Sequence, residues 1–498
     1  MKEYIVKVRV ICLFMFLWAC LMLSAESKAQ NVPVEKPNFL FIAVDDLRPE
    51  LGAYGKEYAK TPNLDRLASQ SSVFTNHFVT VPTCGASRHS MLVGKLPRSK
   101  ADLSNMASVQ HISSKSKSER PLTFLEQFRD QGYYTVGIGK ISHHPDGYVY
   151  DYAEPKSDVL ELPGSWDEML FDPGKWETGH NAFFGYADGS NRTGKNKQVK
   201  PYEAADVADT GYPDGLTAEL AIQKLGELKE EEKPFFLSVG FFKPHLPFTA
   251  PQKYWDLYEE SEIPLAPFPQ IPEGSAKASL LQSGEFNQYA LGEEKASLDS
   301  QLSDEYARKI RHAYLAAVSY VDAQIGKVLD ELERQGLAEN TIVVVWGDHG
   351  WHLGDDLVWG KHTLFDWALQ SVLVIRNPAQ KGNQVDQIVS SVDIYPTLLD
   401  LAGLSSASDL DGQSMVGLMQ NPSLPTWRNS AYSYFNRGNS VRTPDYRLTQ
   451  YFRTNGPEYE LYDQQADPLE TRNVAPENLD GLSALKSLLE KGNTGIFD

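Results

Sequence analysis

The 498-residue chain is poor in cysteine: it has three, and two of them, Cys12 and Cys20, lie in an apolar N-terminal segment. Once that segment is removed, Cys84 has no disulfide partner, which excludes a disulfide-stapled scaffold and leaves the core to hold the fold. Positive charge is scarce as well, with 47 Lys and Arg against 66 Asp and Glu and a formal net charge of −19. Broad attraction to nucleic acid is therefore excluded as a mode of binding. An anionic substrate would have to be held by a concentrated local set of cations. Internal repeats and long low-complexity tracts are missing, which argues against extended disorder. Beyond the N-terminal run, no second apolar stretch is long enough for a stable membrane span.

What is present is the composition of a globular protein, 41% hydrophobic and 23% charged, with length enough for a large core and two domains. Lys2, Lys7 and Arg9, the apolar run Val10 to Leu23 and the small-x-small step Ser27-Lys28-Ala29 read as a signal peptide over residues 1–29. The mature chain is then exported, periplasmic or secreted. Lipid anchoring at Cys20 is the weaker alternative, because Trp18 two residues earlier fits such a signal poorly. An unpaired thiol in an oxidising compartment is a liability, so Cys84 needs a reason to be there.

Phe39 to Val44 is a continuous apolar run, as expected of a strand buried on both faces of a parallel sheet, and it ends in Asp45-Asp46. Ile342 to Trp346 repeats the pattern and ends in Gly347-Asp348-His349-Gly350. Phe235 to Val239 runs into Lys243-Pro244-His245, and a weaker strand, Tyr133 to Gly139, into Lys140-Ile141-Ser142-His143-His144. Helical patterns lie between them, after Thr61-Pro62 and from about Asp304 to Gln335. The alternation predicts an α/β sandwich with a large, mostly parallel sheet between helices over residues 36–410. Ligands gather beyond the carboxyl ends of such strands, so the four polar strand ends point to one shared site. After Leu404 the texture changes to short strand-like pieces and a helix from about Asn478 to Glu490. Residues 411–498 are expected to form a smaller α+β subdomain with an antiparallel sheet.

Asp45, Asp46, Asp348 and His349 bring three carboxylates and an imidazole to two strand ends. Oxygen ligands suit Ca²⁺ or Mg²⁺, and the imidazole leaves Mn²⁺ and Zn²⁺ open. Arg88, Lys140, His143, His245 and Lys361 form the candidate cationic set; each alone is more often a surface charge. Together they could hold a tetrahedral oxyanion, Arg as a fork and Lys as a point charge, while His143 or His245 could trade a proton. Cys84 stands where a loop gives way to a helix expected from about Ser87 through Leu92, where first-turn amides favour an anion. As a thiol it would be an activated nucleophile, although no base lies near it in sequence.

At this point the sequence resembles the type I sulfatases. Cys84-Gly85-Ala86-Ser87-Arg88, followed by Leu92-Val93-Gly94-Lys95-Leu96-Pro97, is similar to the family's C-x-P/A-x-R signature and its trailing L-x-G-x-x-P. The resemblance runs from Pro37 to about Asn473 and includes Thr61 to Ala68, Gly139-Lys140, Gly347 to Trp351, Trp359 to His362 and the tail Glu460 to Asn473. Val44-Asp45-Asp46-Leu47-Arg48-Pro49 and Lys243 to Phe248 look most like iduronate-2-sulfatases. The resemblance implies an alkaline-phosphatase-like fold and conversion of Cys84 to formylglycine by a maturation enzyme. It further implies that one oxygen of the hydrated aldehyde attacks the sulfur of a sulfate ester. By position, Asp45, Asp46, Asp348 and His349 would hold Ca²⁺ together with residue 84. Arg88 and Lys140 would steady the hydrate, His143 would assist its proton loss, and His245 and Lys361 would grip the sulfate and help protonate the leaving oxygen. The implied substrate is a sulfated oligosaccharide or polysaccharide, with 2-O-sulfated uronic acid of glycosaminoglycan fragments favoured.

Two departures bear on this. Ala86 stands where many relatives have proline, which leaves the maturation enzyme open. His144 follows His143 where proline is expected, so the two histidines could exchange roles. A phosphate mono- or diesterase of the same superfamily, or a sulfated-glycan binder without catalysis, are the alternative functions. The loops Ser157 to Tyr202 and Gln252 to Asp299 carry no readable code.

Overall fold

A computed structural model describes residues 36–150 and 156–497; the segment read as a signal peptide lies outside them. From Pro37 onward the chain forms one compact unit. Its centre is an eight-stranded sheet of β1 (Asn38–Val44), β2 (Ser72–Phe74), β3 (Tyr134–Gly139), β4 (Glu168–Leu170), β5 (Phe235–Phe241), β6 (Thr341–Gly347), β7 (Leu373–Arg376) and β8 (Asn383–Val385). The order across the sheet is β8-β2-β7-β6-β1-β5-β3-β4, and β7 alone runs antiparallel to its neighbours. This is the alkaline-phosphatase-like architecture, with helices on both faces of a mixed, mostly parallel sheet.

The unbroken apolar run of β1 follows from burial on both faces. Leu40, Ile42 and Val44 enter one core with α1 (Pro62–Ala68), α4 (Pro213–Leu228) and α5 (Asp304–Arg334). Phe39, Phe41 and Ala43 enter the other, with α2 (Cys84–Val93), α3 (Phe124–Asp130) and α6 (Ile394–Leu401). Each large side chain buried this way contributes roughly 1.5–3 kcal/mol, which makes the central strands a rigid base for the polar residues at their carboxyl ends. α5 starts where Ser303 accepts a hydrogen bond from the Tyr306 amide, a side-chain N-cap.

Register sets the site. Val44 pairs with both Phe241 and Gly347, and Gly139 with Gly240. The central strand ends are therefore level, and Asp45, Lys140 and Asp348 leave the sheet side by side. Gly139 has φ 73°, and a Cβ there would lie 2.4 Å from the Gly240 carbonyl oxygen, so only glycine lets Lys140 come this close to β5.

Helix α2 differs from expectation: it begins at Cys84, not Ser87. Thr83 is extended, with φ −149°, and its carbonyl accepts the Ser87 amide at 2.8 Å, which closes the first turn around Cys84. Cys-Gly-Ala carries little helix signal of its own, and tertiary packing supplies it: Gly85 lies so close to Asn105 that a Cβ would meet its carbonyl oxygen at 2.1 Å.

The C-terminal part is a four-stranded antiparallel sheet of β9 (Ala431–Phe435), β10 (Gly438–Arg442), β11 (Tyr446–Tyr451) and β12 (Glu458–Asp463), in sequential order. Val441, Leu448 and Leu461 from it pack with Leu482 and Leu489 of α7 (Leu479–Lys491). Before it, Met415, Leu418, Met419 and Trp427 still pack into the core under the large sheet.

Candidate active site

Cys84, the first residue of α2, lies at the floor of a cavity of about 560 Å³ that also shows Lys140, His143, His245 and Lys361 on its walls. Its sulfur is 3.3 Å from Asp45 Oδ1, 3.2 Å from His349 Nε2 and 3.3 Å from Lys361 Nζ. Four segments distant in sequence thus meet at one atom. Asp46, in a left-handed conformation with φ 59°, turns its carboxylate into the same cluster, where Oδ1 accepts from Lys361 at 2.7 Å and lies 3.3 Å from His349 Nε2. Non-glycine residues in that region of backbone space concentrate at functional sites. Asp45 pairs through its other oxygen with Lys140.

Arg88 is fully buried beneath this cluster. Its Nε donates to Asp348 Oδ2 at 2.9 Å and its Nη1 to the Lys140 carbonyl, while Nη2 is 4.0 Å from Asp45 Oδ1. Asp348 Oδ1 in turn accepts the Asp46 amide at 2.9 Å. Arg88 therefore fixes carboxylates from two strand ends from below and is not part of the cavity wall. The two adjacent histidines separate: His143 lines the cavity, whereas His144 is buried with Nδ1 2.9 Å from Glu161.

The electrostatics follow from burial among many charges. Burial opposes ionisation of Asp45, but Lys140, His245, Arg88 and Lys361 outweigh it and hold the carboxyl well below the usual range. For Asp46 burial prevails over Lys361 and His349 and pushes the carboxyl up to about 7. Burial, reinforced by the charge of Asp45, pushes the Cys84 thiol well above its ordinary range. His143 is lowered to about 3 by burial and by Lys140, and burial together with Lys361 lowers His245.

A dication fits this donor set. Single ligand atoms of Asp45, Cys84, Asp348 and His349 lie within 4.8 Å of one another, and Asp46 Oδ2 is buried without a hydrogen-bond partner. The His349 Nδ1 lies 2.9 Å from the Gly350 carbonyl, which assigns the proton to Nδ1 and leaves Nε2 its lone pair, directed at the cluster. Asp45, Asp46, Asp348 and His349 thus form a candidate metal centre with residue 84 at its edge.

Sequence reasoning missed several residues of the cavity. Glu285 Oε1 is 3.1 Å from His245 Nε2, and its Oε2 is 3.6 Å from Lys361 Nζ, so it faces both side chains expected to hold the substrate anion. Phe183 packs against His245 with ring centroids 4.4 Å apart and planes tilted by 42°, and Phe184 and Arg192 complete that side. All come from the two loops without readable code; no periodicity or motif marks them.

A carboxylate and cation cluster at the level ends of a mostly parallel sheet, opening on a cavity, defines a hydrolase of the alkaline-phosphatase-like class. Comparison with known proteins narrows it. The Sulfatase family model matches residues 37–404, and the model for the N-sulphoglucosamine sulphohydrolase C-terminal region matches residues 347–492. The chain belongs to the sulfatase family and is a sulfuric ester hydrolase. It is 32% identical to a sulfatase of Formosa agariphila over 496 residues, covering 96% of this chain and 92% of the relative. It is 29% identical to iduronate 2-sulfatase of Homo sapiens over 542 residues, covering 93% of this chain and 95% of the relative. Among solved structures, the phosphonate monoester hydrolase of Agrobacterium radiobacter superimposes with a TM-score of 0.71 at 25% identity, covering 92% of this chain and 96% of that one. No helix among the described residues is long and apolar enough to cross a membrane.

Proposed function

We propose that the protein is an exported sulfatase of sulfated carbohydrate, acting on 2-O-sulfated uronic acid in glycosaminoglycan fragments. The observation that carries this is the meeting of Cys84, Lys140, His143, His245 and Lys361 in one cavity above the Asp45, Asp46, Asp348 and His349 cluster. Similarity to iduronate 2-sulfatase over nearly the whole chain supports the substrate, and the basic, then apolar N-terminus supports export.

Cys84 is converted to formylglycine by a maturation enzyme, and Asp45, Asp46, Asp348 and His349 hold one Ca²⁺. Formylglycine would supply the oxygen that attacks sulfur, and Ca²⁺ held by these residues would supply positive charge where the sulfuryl oxygens gain negative charge. Lys361 and His245 bind sulfate oxygens from the cavity wall. The His245 Nδ1 donates to the Leu246 carbonyl at 2.6 Å, so Nε2 is the nitrogen turned to the cavity; there Glu285 Oε1, 3.1 Å away, favours a second proton on the ring, and the doubly protonated ring can give it to the leaving oxygen. Lys140 and Arg88 steady residue 84 and its neighbouring carboxylates, and His143 takes up a proton as sulfate departs.

Sulfate release from a panel of defined sulfated disaccharides tests the reading. Release from 2-O-sulfated uronides is expected, and release only from other positions would refute the substrate. A second reading, phosphate or phosphonate ester hydrolysis at the same site, is favoured by the likeness to the phosphonate monoester hydrolase. Turnover of aryl sulfate against aryl phosphate separates the two.

A further inference from the structure

Three lysine and arginine side chains among the described residues line the cavity, and they are not alike. Lys140 is paired with Asp45, and Lys361 with Asp46 and Glu285. The third, Arg192, has no carboxylate partner among the described residues; its Nη1 is buried without a hydrogen-bond partner. Its guanidinium carbon lies over two aromatic rings, 3.8 Å from the Phe184 centroid and 5.3 Å from that of Tyr289. The backbone beneath is fixed at both sides: the Arg192 amide donates to the Phe184 carbonyl at 3.1 Å, and the Arg192 carbonyl accepts the Lys197 amide at 2.8 Å. The next residue, Thr193, is tied to His180 by a 3.1 Å contact between Oγ1 and Nε2. A guanidinium held over aromatic rings, with the Nη1 donors unused at a cavity wall, is prepared for an anion that can approach it edge-on.

The position fits a second anion on the same sugar. The Phe184 ring centroid is 6.1 Å from that of His245, so Arg192 is no farther from the His245 ring than that length and its own contact with Phe184 combined. In a 2-O-sulfated uronic acid, the sulfate and the C5 carboxylate are separated by the width of one pyranose ring. We propose that Arg192 is a specificity-determining residue that receives the substrate's uronate carboxylate while His245 and Lys361 hold its sulfate. The inference rests on the uronate-sulfatase reading and adds to it the group that distinguishes a uronate from a neutral sugar. Without the carboxylate the buried Nη1 is left unpaired, which is how a polar site rejects an analogue that lacks its partner group.

The test compares kcat/KM for a 2-O-sulfated uronide disaccharide and for the same disaccharide with its carboxyl reduced to the alcohol, using the mature enzyme, Arg192→Gln and Arg192→Lys. The unaltered enzyme is expected to prefer the uronide by about 10- to 100-fold, as charge-assisted hydrogen bonds allow. The ratio is expected to fall to near one in R192Q and to an intermediate value in R192K, which keeps the charge but loses the fork. Thermal melting reports whether each variant folds, and R192K decides alone should R192Q not fold. An unchanged ratio in a folded variant, or equal turnover of both substrates by the unaltered enzyme, overturns this inference and leaves the sulfated-carbohydrate reading standing. Turnover of aryl sulfate with no release from any 2-O-sulfated uronide overturns the uronate reading and this inference together.

Discussion

Two of the charge clusters that the molecule buries, one at the carboxyl ends of the large sheet and one under the small antiparallel sheet, differ in what they face. In the second, Arg447 Nε meets Glu470 at 2.5 Å and Arg442 Nε meets Asp366 at 2.9 Å, two cations against two anions. Arg447 is stacked against Phe365 and Tyr462, at 4.7 and 4.8 Å, so the cluster closes on buried aromatic rings. In the first, Asp45 and Asp46 are neighbours in sequence, a cysteine sits among them, and the cations above them open on a cavity. Both clusters lie in segments that resemble the sulfatase pattern, and the motifs alone do not say which is chemistry and which is architecture. The geometry does: the tail residues tie chain to chain. Asn473 shows the same role, as its side-chain oxygen accepts the Leu461 and Ala475 amides.

The contrast can be broken first at Cys84. Cys84→Ala is expected to lower sulfate-ester turnover by about 10,000-fold or more, as loss of a nucleophile does, with little change in melting temperature. A next step removes the metal. Chelation is expected to suppress turnover and to lower the melting temperature by linkage, with Ca²⁺ restoring both better than Mg²⁺ or Zn²⁺. Asp46→Asn should cost on the order of 100-fold in turnover at fixed metal. The tail cluster should behave in the opposite way. Arg447→Met leaves Glu470 buried without its main partner and is expected to cost about 3–5 kcal/mol of stability in a denaturant titration. Activity per folded molecule should remain within a factor of about two, as for a site away from the chemistry.

The smallest effect expected is a pH dependence beside the cavity. Burial raises the Glu161 carboxyl, but His144 and its hydrogen bonds prevail and bring it down to about 2. A carboxyl lowered by folding stabilises the protein above its unfolded value of about 4.5 and loses that contribution as the pH falls towards 2. The melting temperature of the unaltered protein should therefore fall more steeply between pH 5 and pH 3 than that of Glu161→Gln, within the usual range for one buried carboxylate. Equal slopes would show that His144 does not hold the Glu161 carboxyl below its usual range.

The strand ends were legible because burial on both faces of a parallel strand leaves a continuous apolar run, and an aspartate that interrupts it stands out. Phe39 to Val44 followed by Asp45-Asp46 is the clearest case, and Ile342 to Trp346 followed by Asp348-His349 the next. The pattern places the start of α2 three residues late because the turn around Cys84 is set by Thr83 and by close packing of Gly85 on Asn105, neither of which is a local propensity. His143 and His144 could not be told apart in sequence, since their difference is the buried Glu161 that takes one of them. The far wall of the cavity was not legible: Phe183, Phe184, Arg192 and Glu285 come from loops without period or motif, and only the folded chain brings them to His245.

The central claim is that the open cluster performs chemistry through a residue 84 that is no longer a thiol. Mass measurement of the tryptic peptide Leu67–Arg88 from fully active enzyme tests it directly. The account predicts an aldehyde in place of the thiol, in proportion to the active fraction. A fully active preparation whose Cys84 is an unmodified thiol would contradict it.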